Sequence, residues 1–353
     1  MKLGILGTGM IVKDLMTTYS KFDIKKTYLL ATAQTQQEAE ELCQKYHLDQ
    51  IFYDYDQLLD SDIDTVYIAL PNHLHYGFAK KAILKGKHVI IEKPMAMSMA
   101  DANEIIRLSE EKKVKVSACH QNRFNIAIQE MRQALEKGRF GKLSHGSIHV
   151  RWNRNQNYYT QAPWRGTWDQ DGGALMNQCI HGIDLLRWTF GGEIAEVYGQ
   201  TRQQFHDYLE AEDVGMAVVK FKNGAIATIE GTTNVYPKNL EETLYIFGEK
   251  GTVKIGGTST NNIDVWDFSD ETEADTKNKG LEEATSNVYG NGHTSLFADV
   301  INAIQTDRKP YVDAYAGRDA LELVLAIYKS QKEGKAVKLP LGEFASTDMR
   351  GEF

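Results

Sequence analysis

The first 121 residues alternate short β-rich runs with segments of helical periodicity, and this alternation strongly constrains the fold. The apolar run at 66–70 is nearly continuous, as expected for a strand buried on both faces, whereas 98–113 has the spacing of a helix. Strands and helices in such alternation build a parallel sheet with helices on both faces. The sequence therefore predicts an α/β fold that begins with a doubly wound parallel sheet.

The first predicted strand ends in a glycine-rich turn, Gly7-Thr8-Gly9-Met10-Ile11-Val12, which opens a helical segment. This is the GxGxxG dinucleotide-binding pattern with valine in place of the third glycine. The first two glycines allow a tight turn and the close approach of a pyrophosphate to the helix N-terminus. Because the motif lies between a strand and a helix, we predict a Rossmann domain that binds a dinucleotide. Its predicted contacts are Gly7, Gly9, Met10 and Ile11.

Residues 31–34, at the predicted end of the second strand, bear on the choice between NAD and NADP. An acid there would bind the ribose hydroxyls of NAD, whereas a nearby arginine would favour the phosphate of NADP. The segment Ala-Thr-Ala-Gln offers neither, and Gln34 is its predicted cofactor contact. A missing acid removes a repulsive element against NADP, so the choice stays open with a slight preference for NADP.

Two further segments follow predicted strands, where the nucleotide site of such a sheet lies. They are Leu-Pro-Asn-His-Leu-His at 70–75 and Glu-Lys-Pro at 92–94. The two histidines have no acidic or cysteine partner nearby in sequence, so no metal site is predicted. Lys93 is either a solvated surface residue or a group that faces the nicotinamide. The remaining predicted cofactor contacts are Leu70, Pro71, Asn72, His75, Glu92, Lys93 and Gln121.

A mostly apolar stretch, 172–188, carries Asn177, His181 and Asp184 at spacings of four and three residues. On one helix, such positions form a row of neighbours about one turn apart. The two glycines in front of them allow a tight turn and the close approach of another group. The row belongs either to a half-buried structural helix or to a catalytic site, and its spacing alone leaves both open.

After residue 121 the alternation stops, and β-rich runs joined by turns take its place. Asn223-Gly224 and Lys250-Gly251 are hairpin signals between alternating apolar residues, which predicts an antiparallel sheet. The segment 151–171 is crowded with aromatic residues and arginines, and an unstructured loop of that length is often a binding loop. Arginine offers paired donors to carboxylate or phosphate, so we predict that Arg165 contacts substrate or cofactor.

The composition is that of a globular protein with 353 residues, which is enough for two domains. A formal net charge of −8 gives no support to a nucleic-acid or membrane-surface partner. No apolar run approaches the roughly 18 residues of a membrane span. The three cysteines are scattered, as in proteins of reducing compartments. We therefore expect a cytoplasmic protein with a small-molecule substrate.

These motifs resemble those of the Gfo/Idh/MocA oxidoreductases, named for glucose-fructose oxidoreductase, inositol dehydrogenase and a rhizopine-breakdown protein. The resemblance covers essentially the whole chain and rests on the GxGxxV turn and on the segments 70–75, 92–94, 122–124 and 171–184. It implies an NAD(P)-binding Rossmann domain, residues 1–121, and a C-terminal α/β domain, residues 122–353, with a large, mostly antiparallel sheet. The second domain would bind substrate and join two or four identical subunits.

The resemblance also implies roles for single residues. Lys93 would lie beside the reacting carbon and the nicotinamide, His181 would transfer a proton, and Asp184 would orient the histidine or bind substrate. The family most often has aspartate where this chain has Asn177, and an amide cannot take a proton, so the acid–base work shifts to His181 and Lys93. The predicted substrate contacts are Arg123, Tyr159, Trp164, Asn177, His181 and His293.

Both observations together favour a catalytic site over a structural helix. Alcohol oxidation requires a group that takes the hydroxyl proton, and histidine, with an ordinary pKa of about 6.5, suits this task near neutral pH. We expect an NAD(P)-dependent dehydrogenase of a sugar, polyol or sugar derivative, including nucleotide-linked sugars. The alternatives are an NAD-dependent glycosidase that acts by transient oxidation and a non-catalytic, cofactor-sensing regulator.

Overall fold

The computed structural model describes residues 1–284 and 291–353, which divide into two compact units. The first comprises Met1–Cys119 and His293–Arg318, and the second His120–Gly292 and Asp319–Phe353. This division differs from the sequence-based boundary, because the chain returns to the first unit near its end. Phe297 packs against Tyr67 with ring centroids 5.0 Å apart, and the Ser117 hydroxyl donates to the Val312 carbonyl at 2.7 Å. Local sequence patterns do not reveal such long-range packing.

The elements follow the predicted alternation and then the predicted run of strands. The strands are β1 (Lys2–Leu6), β2 (Lys26–Leu30), β3 (Gln50–Phe52), β4 (Thr65–Ile68), β5 (His88–Ile91), β6 (Val116–Ala118), β7 (Leu143–Arg151), β8 (Ile194–Arg202), β9 (Val214–Phe221), β10 (Ile226–Thr232), β11 (Glu241–Gly248), β12 (Gly251–Gly256), β13 (Asn262–Phe268) and β14 (Val337–Lys338). The α-helices are α1 (Met10–Thr18), α2 (Gln36–Tyr46), α3 (Tyr55–Asp60), α4 (His75–Leu84), α5 (Met99–Lys112), α6 (Ile126–Glu136), α7 (Gln156–Tyr159), α8 (Ala174–Asn177), α9 (Ile180–Thr189), α10 (Gly292–Gln305) and α11 (Ala314–Glu333).

The first unit contains a parallel sheet with the strand order β3-β2-β1-β4-β5-β6. Its central strands are buried on both faces, because helices cover the sheet on each side. The order reverses between β1 and β4, and the carboxyl ends of these strands border the crevice where such sheets bind ligands. The predicted doubly wound fold is confirmed.

The second unit contains a mixed sheet with the order β13-β12-β11-β7-β10-β9-β8-β14. Within the described residues, every neighbouring pair is antiparallel except β7 and β10. The hairpins at Asn223-Gly224 and Lys250-Gly251 join β9 to β10 and β11 to β12, as the sequence predicts. The mostly antiparallel class of this sheet is also confirmed.

One face of the second sheet packs under α8 and α9, and its other face is exposed. On β9, buried residues alternate with exposed ones, which leaves Met216 and Val218 54% and 49% exposed. Val218 pairs with Tyr198 on β8 and with Thr228 on β10, so the exposed apolar side chains form one continuous patch. A patch of this kind on a sheet is typical of an interface.

Among the described residues, none of the helices combines the length and the apolar character that crossing a bilayer requires.

Candidate functional site

The glycine-rich turn of the first unit has the backbone that a dinucleotide requires. Gly7 has φ +108°, and a Cβ there would lie 2.5 Å from the Ala69 carbonyl oxygen, so only glycine fits. Gly9 caps α1 without a side-chain hydrogen bond, and a Cβ at Gly9 would meet nothing within 4 Å. The amides of the first turn of α1 therefore have room for a phosphate group, and the turn fits a pyrophosphate.

A carboxylate lies beside this turn that the sequence analysis did not identify. The hydroxyl of Thr8, between the two glycines, donates to Glu38 Oε2 at 2.8 Å. Glu38 belongs to the first turn of α2, which a 3-10 turn at Ala33–Thr35 separates from β2. The extra turn carries the acid four residues beyond Gln34, so it lies outside residues 31–34, where the sequence pattern predicts such an acid. Gln34 itself is exposed.

His75 has a structural contact where a cofactor contact was predicted. Its Nδ1 lies 2.7 Å from the Pro94 carbonyl oxygen and its Nε2 lies 2.8 Å from the Leu70 carbonyl oxygen. Burial lowers the pKa of His75, although the two carbonyl groups act in the opposite direction. The ring therefore joins the loops after β4 and β5, and holds the segment that contains Lys93 in place. Contact of His75 with the cofactor stays a prediction.

Glu92 forms a buried network with His293 in the first unit. Glu92 Oε1 accepts from the Tyr67 hydroxyl at 2.8 Å and lies 3.2 Å from His293 Nε2. Burial opposes ionisation of Glu92, but the hydrogen bond and charge of His293 outweigh it and lower the pKa to about 2. The Cys119 sulfur lies near both side chains, so one side-chain atom each of Glu92, Cys119 and His293 lies within 4.8 Å of the other two. His293, a predicted substrate contact, lies against this buried carboxylate, and its contact with substrate stays a prediction.

The predicted row of polar residues in the second unit lies on two short helices. Asn177 ends α8, and Cys179 caps the start of α9, which carries His181 and Asp184. The spacing of four therefore does not place Asn177 and His181 on one continuous helix. The break leaves each helix with its own set of contacts.

Glu212 holds the start of α8. Its Oε1 accepts from the Leu175 amide and the Tyr328 hydroxyl, both at 2.8 Å, and its carbonyl accepts from the Ala174 amide at 2.9 Å. A Cβ at Gly173 would lie 1.4 Å from Glu212 Oε2, so glycine is required there. Burial raises the pKa of Glu212 to about 8, and the side chain is neutral near pH 7.

Asn177 faces a small recess next to this turn. Its Nδ2 donates a hydrogen bond to Asp171 Oδ1. The recess has a volume of about 210 Å³ including its mouth, and its lining contains Tyr159, Asp171, Gly173, Asn177, Gln178 and Glu212. Asp171, six residues before Asn177 in the sequence, was not among the predicted site residues.

Asp184 is bound by Arg123. The predicted roles of Asp184, to orient His181 or bind substrate, and of Arg123, to contact substrate, stay predictions. Arg123 Nε and Nη2 donate to the two carboxylate oxygens at 2.8 and 2.6 Å, in the paired geometry that arginine favours. The guanidinium also lies over the Trp188 ring, 4.9 Å from its centroid. Both charges are buried, at 6% and 2% exposure. A buried ion pair of this kind fixes the position of α9 against Arg123.

His120 lies between Asp184 and His181 and was also missed by the sequence analysis. The rings of His120 and His181 meet edge to face with centroids 5.7 Å apart, and His120 Nδ1 is 4.0 Å from Asp184 Oδ2. Gln121 Nε2 lies 3.4 Å from His181 Nε2. Gln121, predicted as a cofactor contact, thus contacts the predicted proton-transfer residue.

Arg165 lies in the aromatic cluster that the sequence predicts. It hydrogen-bonds to the Tyr158 hydroxyl, and its guanidinium lies 4.1 Å from the Tyr158 ring centroid and 4.7 Å from that of Trp164. Tyr159 is largely buried, with its hydroxyl 3.2 Å from the Thr233 hydroxyl. Contact of Arg165, Trp164 and Tyr159 with a ligand stays a prediction.

Two family models match the chain. Residues 1–120 match the oxidoreductase family with an NAD-binding Rossmann fold, and residues 128–254 match the GFO/IDH/MocA C-terminal domain. The chain belongs to the Gfo/Idh/MocA family of oxidoreductases. It is an NAD-binding dehydrogenase, as the motifs predict.

Solved structures and sequence relatives agree with this assignment. The WlbA dehydrogenase of Bordetella pertussis, solved with NADH and UDP-GlcNAcA, is 34% identical with a TM-score of 0.90, covering 97% of this chain and 98% of that one. The corresponding Chromobacterium violaceum enzyme, solved with the same ligands, is 31% identical with a TM-score of 0.88, covering 97% and 96%. Myo-inositol 2-dehydrogenase of Thermotoga maritima is 24% identical over 96% of this chain and 98% of its own.

The neutral carboxyl of Glu212 predicts a pH-dependent stability. Its pKa in the folded protein lies above the ordinary value, so stability supplied by the neutral form is present at acid pH and is lost as pH rises through about 8. We expect the wild type to lose about 2–3 kcal/mol between about pH 6 and about pH 9 relative to Glu212→Gln. Urea unfolding at several pH values measures this difference.

The control for this comparison is Glu343→Gln, which removes an exposed carboxylate. Its unfolding free energy should follow that of the wild type at every pH. Parallel curves for the wild type and Glu212→Gln would mean that Glu212 is already ionised at neutral pH.

Proposed function

We propose that this protein oxidises one hydroxyl-bearing carbon of a nucleotide-linked sugar acid, with UDP-GlcNAcA as the first candidate, and passes the hydride to NAD. The similarity to two dehydrogenases solved with NADH and UDP-GlcNAcA, over nearly the whole of both chains, carries the proposal. The presence of Lys93 and His181 supports it, because a sensor of cofactor would need no proton-transferring group.

Two arginines in the aromatic loop 151–171 of the second unit supply positive charge that suits an anionic sugar. Arg165 and Arg154 lie on the Tyr158 ring, with guanidinium carbons 4.1 and 5.2 Å from its centroid. Paired guanidinium groups bind diphosphate and carboxylate well, and the neighbouring aromatic faces suit a sugar or base. A neutral polyol has no negative group that could pair with these guanidinium groups.

The first unit would hold the cofactor through the Gly7–Gly9 turn and the amides at the start of α1. NAD supplies the hydride acceptor when bound. His181 then takes the proton from the sugar hydroxyl at a ring nitrogen. The His120 ring and the side-chain amide of Gln121 contact the His181 imidazole and fix its plane. Lys93, predicted to lie beside the reacting carbon and the nicotinamide, would hold the hydroxyl and stabilise the developing alkoxide.

A substrate panel tests the proposed reaction. UDP-GlcNAcA, UDP-GlcNAc, free sugars and myo-inositol should be supplied with NAD, and reduced nicotinamide should accumulate only with the nucleotide-linked acid. Release of UDP without net reduction of NAD would instead indicate a glycosidase that acts by transient oxidation. Tight cofactor binding with no turnover of any compound would indicate a sensor.

Removing the imidazole of His181 should abolish most of the turnover. We expect His181→Ala to lower kcat for UDP-GlcNAcA by about 10²–10⁴-fold, the usual contribution of a positioned general base. NADH binding, followed by fluorescence, should change little. His47→Asn, at an exposed histidine that ends α2, is the matched control. Near-wild-type kcat in His181→Ala would contradict the role given to this histidine.

Cofactor selection is proposed to depend on Glu38, which replaces the slight preference for NADP expected from sequence. The carboxylate beside Thr8 can accept from a ribose hydroxyl and repels a ribose phosphate. We expect Glu38→Gln to raise the NADP-to-NAD ratio of kcat/KM about tenfold, or about 1.4 kcal/mol. Glu41→Gln, which removes an exposed carboxylate from the same helix, should leave this ratio unchanged. An unchanged ratio in Glu38→Gln would refute this selection.

The exposed face of the second sheet is proposed to join two copies of the chain, directly or within a tetramer. Its apolar residues Tyr198, Met216, Val218 and Ile226 are each 45–54% exposed in the single chain. Burial of such a patch in a symmetric contact removes apolar surface from water on both partners. Sedimentation should show at least two chains per particle, and a monomer at micromolar concentration would contradict the proposed contact.

A further inference from the structure

Asp171 makes two hydrogen bonds that link separate parts of the recess. Its Oδ2 accepts from the Gly166 amide at 2.7 Å, next to Arg165, and its Oδ1 accepts from Asn177 Nδ2. The side chain belongs to a turn in which the amides of Asp171 and Gly172 donate to the Thr167 carbonyl at 3.1 and 2.9 Å. Asp171 is buried, at 2% exposure. Its position is therefore fixed from several sides.

We propose that Asp171 is a positioning residue that sets the orientation of the Asn177 amide, so that its carbonyl oxygen accepts a hydrogen bond from a donor group of the bound sugar. This inference rests on the proposed function. It names the group that compensates for asparagine at a position where the family most often has aspartate. A carboxylate is still present in the lining of the recess, and it is hydrogen-bonded to the Asn177 side chain.

The orientation follows from donor and acceptor chemistry. A backbone amide can only donate, so Oδ2 of Asp171 is an acceptor towards Gly166. Oδ1 of an ionised carboxylate is likewise an acceptor, and the only donor on the Asn177 side chain is its NH₂ group. The NH₂ group must therefore point to Asp171. The carbonyl oxygen of Asn177 therefore points away from Asp171. The nearby carboxylate polarises the amide and makes this oxygen more negative.

This orientation selects for the substrate class. Sugar hydroxyls and an acetamido N–H are donors, and an acceptor at Asn177 holds one of them while His181 takes the proton of the reacting hydroxyl. A reversed amide would direct an N–H towards those donors and would leave them without an acceptor. A lost or mismatched buried hydrogen bond costs about 1–3 kcal/mol.

Two substitutions separate this role from a merely structural one. In Asp171→Asn, the Gly166 amide still donates to the carbonyl oxygen of the new asparagine side chain. The NH₂ group of that side chain then faces Asn177 and reverses the orientation of the Asn177 amide. In the double variant Asp171→Asn with Asn177→Asp, the new NH₂ group donates to the new carboxylate. The second oxygen of that carboxylate restores an acceptor in the recess. Both changes preserve side-chain volume.

We expect Asp171→Asn to lower kcat/KM for UDP-GlcNAcA by about 10–100-fold, mainly through KM. The double variant should recover at least tenfold of that loss. Asn177→Asp alone places two carboxylates in contact, so its kcat/KM should fall as pH rises and the shared proton is lost. Asp169→Asn, which removes a more exposed carboxylate two residues away, should match the wild type.

The outcomes are distinct. Wild-type KM in Asp171→Asn, a double variant no better than the single one, or a pH-independent Asn177→Asp would each overturn the inference. The Asn177→Asp pH profile keeps this test available even if Asp171→Asn does not fold. Absence of turnover by the wild-type enzyme with UDP-GlcNAcA would overturn the proposed function together with the inference.

Discussion

The start of α8, which carries Asn177, depends on a buried carboxyl group whose pKa is raised by burial. The Glu212 side chain accepts from the Leu175 amide and the Tyr328 hydroxyl, and the Glu212 carbonyl oxygen accepts from the Ala174 amide. This arrangement leaves no space for a side chain at Gly173. The fit between Glu212 and Gly173 fixes the start of α8. It thereby also fixes the position of Asn177, which ends this helix. A charged Glu212 would be costly in the same place, which is why burial holds it in the neutral form.

A second buried constraint orders the helix that carries His181. The Arg123–Asp184 pair joins α9 to the 3-10 turn at Gln121–Phe124, which also places Gln121 and His120 against the His181 ring. Removing one partner of such a pair leaves an uncompensated charge and typically costs about 3–5 kcal/mol. The polar residues of the predicted row thus have different contacts. Asp184 pairs with Arg123, Asn177 donates to Asp171, and the His181 ring lies beside Gln121.

Local patterns in the sequence predict the parts of the structure that depend on local physics. Strand burial, the Gly7 turn and the hairpins at Asn223 and Lys250 follow from periodicity and from backbone conformations that glycine permits. The remaining features depend on contacts between distant residues. Arg123 and Asp184 are 61 positions apart, and Glu92 and His293 are 201 apart. No spacing rule connects such pairs.

Smaller errors also have physical causes. The row at Asn177, His181 and Asp184 was predicted as one helix, because a break at Gln178 has no proline or glycine to mark it. Glu38 was missed because an extra 3-10 turn displaces the acid from the strand end. Asp171 stands in a loop without periodicity, so only the folded structure reveals that it contacts Asn177.

The proposed reaction moves a hydride from a carbon of the sugar to the nicotinamide of NAD. The most direct measurement uses UDP-GlcNAcA deuterated at the ring carbons of its sugar, incubated with the enzyme and unlabelled NAD for a single turnover. Mass spectrometry of the nicotinamide should then show one deuterium transferred from carbon to the reduced cofactor, in wild type and in the slow turnover of His181→Ala alike. Reduced cofactor without deuterium, or label found only in water, would contradict the account.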